Sequence, residues 1–174
     1  MLIMILLFCS CGSEEKISSE IGEGVLVSFS AMDINNNIIN QAILADSKLT
    51  MVNIWGTFCA PCLEEMPSLA ELNRKYAAQD FQVIGIIIDA ADKNLIVKQD
   101  KLADAKEIIA AADADYTHLL PSKALNDALL ADIQSVPYTI FVNSEGYQVG
   151  ESYPGARSKE AWQTIIEALL EAQK

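Results

Sequence analysis

Two cysteines two residues apart, Cys59-Ala60-Pro61-Cys62, stand between a strand-like run, Leu49–Trp55, and a helix-like run over residues 63–76. This junction constrains the fold more than any other part of the chain. A backbone that leaves a strand and enters a helix within a few residues presents unpaired N–H groups and the positive end of a helix dipole. A thiol placed there is drawn toward thiolate, the form that attacks disulfides.

The flanking pattern agrees with an α/β domain. Residues 25–33 alternate in part and predict a strand. Asn35-Asn36-Asn37 signals a turn, and Ile38-Ile39 a short returning strand. In 63–76, Leu63, Met66, Leu69, Leu72 and Tyr76 recur at helical spacing, with Pro67 expected to kink the helix. Residues 81–88 form a continuous apolar run, as in a strand covered on both faces. A helix is expected over 101–112, a short strand over 116–120 and a helix over 122–131. A strand over 138–142 then turns at Ser144-Glu145-Gly146 into an antiparallel return over 147–151. Ser158 is placed to cap a last helix from Lys159 to about Gln173. Alternating strands and helices imply a sheet with helices on both faces. With 174 residues, 51% of them hydrophobic, the chain can build one ordinary core. Its net charge of −12 opposes nucleic-acid binding and reads chiefly as a solubilising surface.

Residues 1–8 are almost wholly apolar and lead into Cys9-Ser10-Cys11. Eight residues cannot span a bilayer, which takes about 20. The segment resembles the end of a bacterial lipoprotein signal peptide, with small Ser10 before a lipidated Cys11 at the mature N-terminus. A plain cleaved signal peptide and a short anchor are the alternatives. Residues 12–24, rich in Ser, Glu and Gly, read as a flexible tether. The expected organisation is therefore a signal segment at 1–11, a tether at 12–24 and a domain at 25–174. Cys9 and Cys11 fall in the export segment, so only Cys59 and Cys62 remain in the domain. They are a redox pair or a pair of metal ligands, not part of a disulfide framework.

From about residue 25 onward the chain resembles the TlpA-like branch of the thioredoxin superfamily, the membrane-tethered thiol–disulfide oxidoreductases. Val52-Asn53-Ile54-Trp55-Gly56-Thr57-Phe58-Cys59-Ala60-Pro61-Cys62 matches the family's strand and active site. Glu65-Met66-Pro67 matches its Glu-x-Pro, and Ser135-Val136-Pro137-Tyr138-Thr139 the segment that carries a cis-proline. Asn53 stands where thioredoxin has a buried Asp. The resemblance implies a thioredoxin-like fold: a central mixed sheet, helices on both faces, an N-terminal β-hairpin extension and an inserted α-β-α segment. It implies that Pro137 is cis beside the cysteines and that Val136 offers its backbone to an extended client. It also implies an extracytoplasmic reductase, re-reduced by a membrane electron-transfer protein, with disulfide-containing exported proteins as clients. Apocytochrome c thiols are among the clients considered. A monomer held to the membrane by lipid is expected, with no cofactor and no metal.

Cys59, ahead of the helix, is the expected nucleophile, and Cys62 the buried resolving thiol. A cysteine of pKa near 8.5 is only about 3% thiolate at neutral pH. Lowering the pKa to about 7 raises this roughly sixteenfold, and reduced nucleophilicity takes back about fivefold. The larger consequence is redox poise. Ala60 and Pro61 bring no charge or side-chain donor, and Glu64 and Glu65 oppose thiolate formation, so a reducing couple is expected. Glu65, three residues past Cys62, is by resemblance the acid/base group; a solvated helix carboxylate is the alternative. Trp55, Phe58 and Pro61 are expected to border the client site. His118, the sole histidine, is read as structural.

Two other functions compete. Two thiolates suit Cu(I), as in copper-delivery modules on this fold, but those place three residues between their cysteines and add a distal His. A thiol peroxidase would carry Pro-x-x-x-Thr-x-x-Cys, whereas Thr57 lies two residues before Cys59.

Overall fold

The computed structural model describes residues 22–173. The expected lipidation site Cys11, the signal segment and most of the tether lie outside them. Strands β1 (Ser30–Met32) and β2 (Ile38–Asn40) form an antiparallel hairpin. The central strand β3 (Leu49–Trp55) leads into helix α1 (Ala60–Tyr76) and then β4 (Phe81–Ile87). Helix α2 (Gln99–Ala111), strand β5 (Thr117–Leu119) and helix α3 (Lys123–Ala128) make up the insertion. Strands β6 (Tyr138–Asn143) and β7 (Tyr153–Pro154) and helix α4 (Lys159–Ala172) complete the domain. The main sheet runs β5-β4-β3-β6-β7, with β3 parallel to β4 and antiparallel to β6. This is the mixed sheet that the family resemblance implies. Among the described residues no helix is long and apolar enough to cross a membrane.

Period-two alternation splits the core in two. Leu49, Met51 and Trp55 of β3 join Phe81, Val83 and Ile87 of β4 in packing against α1, α2 and α4. Val52 and Ile54 join Ile84, Ile86, Ile140 and Val142 in packing against α3 and the hairpin. β3 is buried along its whole length because both faces are covered.

Three expectations about elements change. The strand expected over 25–33 reduces to β1. Leu26 and Phe29 are buried, but the Leu26 N–H bonds the Gly146 carbonyl at 2.9 Å, not a strand partner. Gly146 (φ +86°) allows that approach, since a Cβ there would meet the Leu26 backbone at 2.4 Å. The return expected over 147–151 pairs with β6 only through the bridge Val142–Gln148, and β7 lies later. The Gln148 N–H donates to the Glu23 carbonyl, and the Gly22 N–H to the Gln148 carbonyl. The last residues of the expected tether are thus joined to this return. Finally, α1 starts at Ala60 and continues unbroken through Pro67.

Candidate active site

Register brings the site together at one end of the sheet. Ile54 of β3 faces Tyr138 of β6, and Trp55 faces Ile87 of β4. The loop 56–59, the residues after Ile87 and the Val136–Pro137 peptide therefore meet at that end, where α1 begins. Val136–Pro137 is cis.

Cys59 is the N-cap of α1, and its sulfur accepts the Cys62 N–H at 3.3 Å. Pro61 sits in the first turn of the helix, where its missing N–H costs nothing. Cys59 and Cys62 are joined in a disulfide, with Cα atoms 5.3 Å apart. Cys59 is 6% exposed and Cys62 1%, the expected order. Beside them Phe58 is 68% exposed, an apolar rim. Trp55 is fully buried, so it forms the floor under the site rather than part of its surface. Its indole N–H donates to His118 Nδ1 at 3.3 Å.

Within α1, three residues past Cys62, Glu65 is the centre of a buried polar group. One carboxylate oxygen accepts from Asn53 Nδ2 at 3.1 Å. The other accepts from Trp162 Nε1 and the Arg157 backbone N–H, each at 3.2 Å. Asn53 also donates to Thr139 Oγ1 at 3.1 Å. The Arg157 guanidinium stacks over Tyr153 and Trp162. Burial pushes the Glu65 carboxyl above its usual range, and these donors oppose that push. Glu65 is therefore not the solvated carboxylate of the alternative reading, although an open cleft between the starts of α1 and α4 reaches it.

Sequence reasoning missed the partners of Glu65, namely Asn53, Trp162 and the Arg157 backbone, and the bond from Asn53 to Thr139. One signal was available. Asn53 and Thr139 are polar residues at core-facing positions of two central strands, opposite each other in register. Such residues require partners. A second omission is Asp89, whose carboxylate accepts both the backbone N–H of Thr57 at 3.0 Å and its hydroxyl at 2.6 Å.

A helix-capping cysteine pair beside a cis-proline on a mixed sheet can exchange disulfides with an outside thiol. The Redoxin family model matches residues 26–168. The chain belongs to the Redoxin family. This redoxin is 25% identical over 145 residues to the thiol-disulfide oxidoreductase ResA of Halalkalibacterium halodurans, covering 82% of this chain and 74% of that protein. It is 29% identical over 105 residues to the thioredoxin-like protein YneN of Bacillus subtilis, covering 59% of this chain and about half (54%) of that protein. Among solved structures, a thiol:disulfide interchange protein of Chlorobium tepidum superposes with a TM-score of 0.67 at 22% identity. That match covers 82% of this chain and 93% of the other, and it establishes the thioredoxin-like fold. The redoxin is a TlpA-like thiol–disulfide oxidoreductase.

Proposed function

We propose that this redoxin is an exported reductase of disulfides in extracytoplasmic proteins, held at the bacterial membrane by lipid on Cys11 through the segment 12–24. The observation that carries the reading is the Cys59–Cys62 pair at the start of α1, with Cys59 the more exposed sulfur. In the reduced protein the Cys59 thiolate attacks a client disulfide. A mixed disulfide forms at Cys59 and the first client sulfur leaves as a thiolate. Cys62, deprotonated with Glu65 as acceptor, then attacks Cys59 Sγ. The 59–62 disulfide closes and the second client thiolate leaves. Two electrons pass to the client, and a membrane electron-transfer protein restores the dithiol. Phe58, Pro61 and the Val136–Pro137 backbone border the client, and Trp55 supports them from below. Oxidised apocytochrome c is one client of suitable chemistry. The domain acts as a monomer and needs no cofactor.

Trapping tests the reading. A Cys62→Ser variant is expected to retain clients as mixed disulfides on Cys59, identified by mass spectrometry of extracytoplasmic extracts. Wild-type protein should release them, with a pH profile that Glu65→Gln displaces. Failure of Cys62→Ser to form any mixed disulfide removes the reductase assignment, and an unchanged profile removes Glu65 from proton transfer.

A further inference from the structure

The turn that presents Cys59 is only three residues long, Gly56-Thr57-Phe58, and is anchored from the neighbouring strand. The Cys59 N–H closes the turn on the Gly56 carbonyl at 3.0 Å. The Phe58 ring lies over Gly56, where a Cβ would meet Phe58 Cε1 at 2.6 Å. No side chain other than Gly fits beneath that ring without moving it. Thr57 is held by a different contact. Its N–H and its hydroxyl both end on the Asp89 carboxylate, at 3.0 and 2.6 Å.

Asp89 has a firm base. The parallel ladder continues past β4, with the Ile88 N–H on the Trp55 carbonyl at 2.9 Å. Ala90, the next residue, is fully buried, and its carbonyl accepts the Lys98 N–H at 2.9 Å. One carboxylate on a fixed strand end thus holds both donors of the residue at the centre of the turn. Two hydrogen bonds to one charged acceptor are strong and directional. They fix the turn from which the Phe58 side chain projects and after which the Cys59 sulfur begins.

We propose that Asp89 is a positioning residue for disulfide exchange: acting through Thr57, it holds the 56–58 turn in the geometry from which Cys59 attacks and Phe58 meets the client. Asp89 does not touch the reacting sulfurs in this role. It rests on the reading of Cys59 as the attacking thiol. Its Thr57 bonds reduce the number of turn conformations the nucleophile samples. A displacement of about 1 Å in such a group costs up to a hundredfold in rate.

The test compares Asp89→Ala with Asp89→Asn. Asn presents one acceptor to the Thr57 N–H and one donor to the Thr57 hydroxyl oxygen, so the turn stays held while the charge is lost. For Asp89→Ala, kcat/KM in reduction of insulin disulfides is expected to fall about tenfold. Asp89→Asn should restore most of it. Thr57→Val should show a smaller loss, and Asp89→Ala/Thr57→Val no further loss beyond Asp89→Ala, because both changes remove the same contact. Thr57→Val also reads the dependence should Asp89→Ala fail to fold. Wild-type kinetics in both Asp89→Ala and Thr57→Val overturn the proposal. A fall in Asp89→Asn equal to that in Asp89→Ala also overturns it, by assigning the effect to charge. Alkylation of the reduced protein by iodoacetamide separates the two readings. If the wild type reduces no protein disulfide, the reductase reading fails. Positioning then still stands or falls on whether Asp89→Ala changes the alkylation rate of Cys59 and Asp89→Asn restores it.

Discussion

At Glu65, burial and hydrogen bonding act in opposite directions: desolvation favours the neutral acid, while Trp162, Arg157 and Asn53 donate to the carboxylate. A carboxyl raised by burial holds a proton more readily than a solvated one, which suits the acceptor role proposed for it at Cys62. His118 is the converse case. Its Nδ1 accepts from Trp55 and its Nε2 lies 3.1 Å from the Ala114 carbonyl. Trp55 offers only a donor and Ala114 only an acceptor, so the ring must be neutral with the proton on Nε2. Burial drops its pKa from 6.5 to about 4. Above pH 6.5 neither folded nor unfolded His118 carries a proton. Between 6.5 and about 4 the unfolded chain takes up a proton that the native ring refuses, so stability falls as pH drops through that window. From pH 7 to pH 5 the loss is about 2 kcal/mol. Urea unfolding of wild type and His118→Asn at the two pH values should show that extra loss in the wild type alone. Equal losses would dismiss the assignment. The structural reading of this lone histidine was legible in the sequence, but its partner was not, because Trp55 lies 63 positions away.

Among the elements, the long ones were the most legible. β3, β4 and α4 were expected almost to the residue, because their apolar patterns run long enough to be unambiguous. The short ones were not. Residues 25–33 carry apolar side chains that pack without strand pairing for most of their length, with Leu26 bonded instead to the turn at Gly146. Caps were local and therefore readable. Ser158 Oγ accepts the Ala161 N–H at 3.3 Å at the start of α4, and α4 supplies Trp162 to Glu65. Ser158→Ala is expected to cost about 1 kcal/mol, or roughly 2–4 °C in melting temperature. Calorimetry reads this directly, and an unchanged melting temperature would show that the cap contributes nothing. The start of α1 is capped instead by the Cys59 sulfur, so the reactive atom is also part of its own helix terminus.

For the molecule as a whole, the proposed reductase direction predicts a reducing couple. The chain's net charge of −12 and the acidic Glu64 disfavour thiolate, while Ala60 and Pro61 add no compensating cation. The reduction potential measured against a dithiothreitol or glutathione buffer is expected below about −180 mV, and a higher value would reverse the direction assigned to the enzyme. The sequence by itself determined the order of strands and helices, the thiol pair at the strand-to-helix junction and the family. These are carried by neighbours within one or two turns of chain. Only the tertiary structure decided that Asn53, Thr139 and Trp162 converge with Glu65, and that Asp89 holds Thr57. Those contacts join residues 12 to 97 positions apart, and their distances are set by sheet register and helix packing, which no local pattern of side chains encodes.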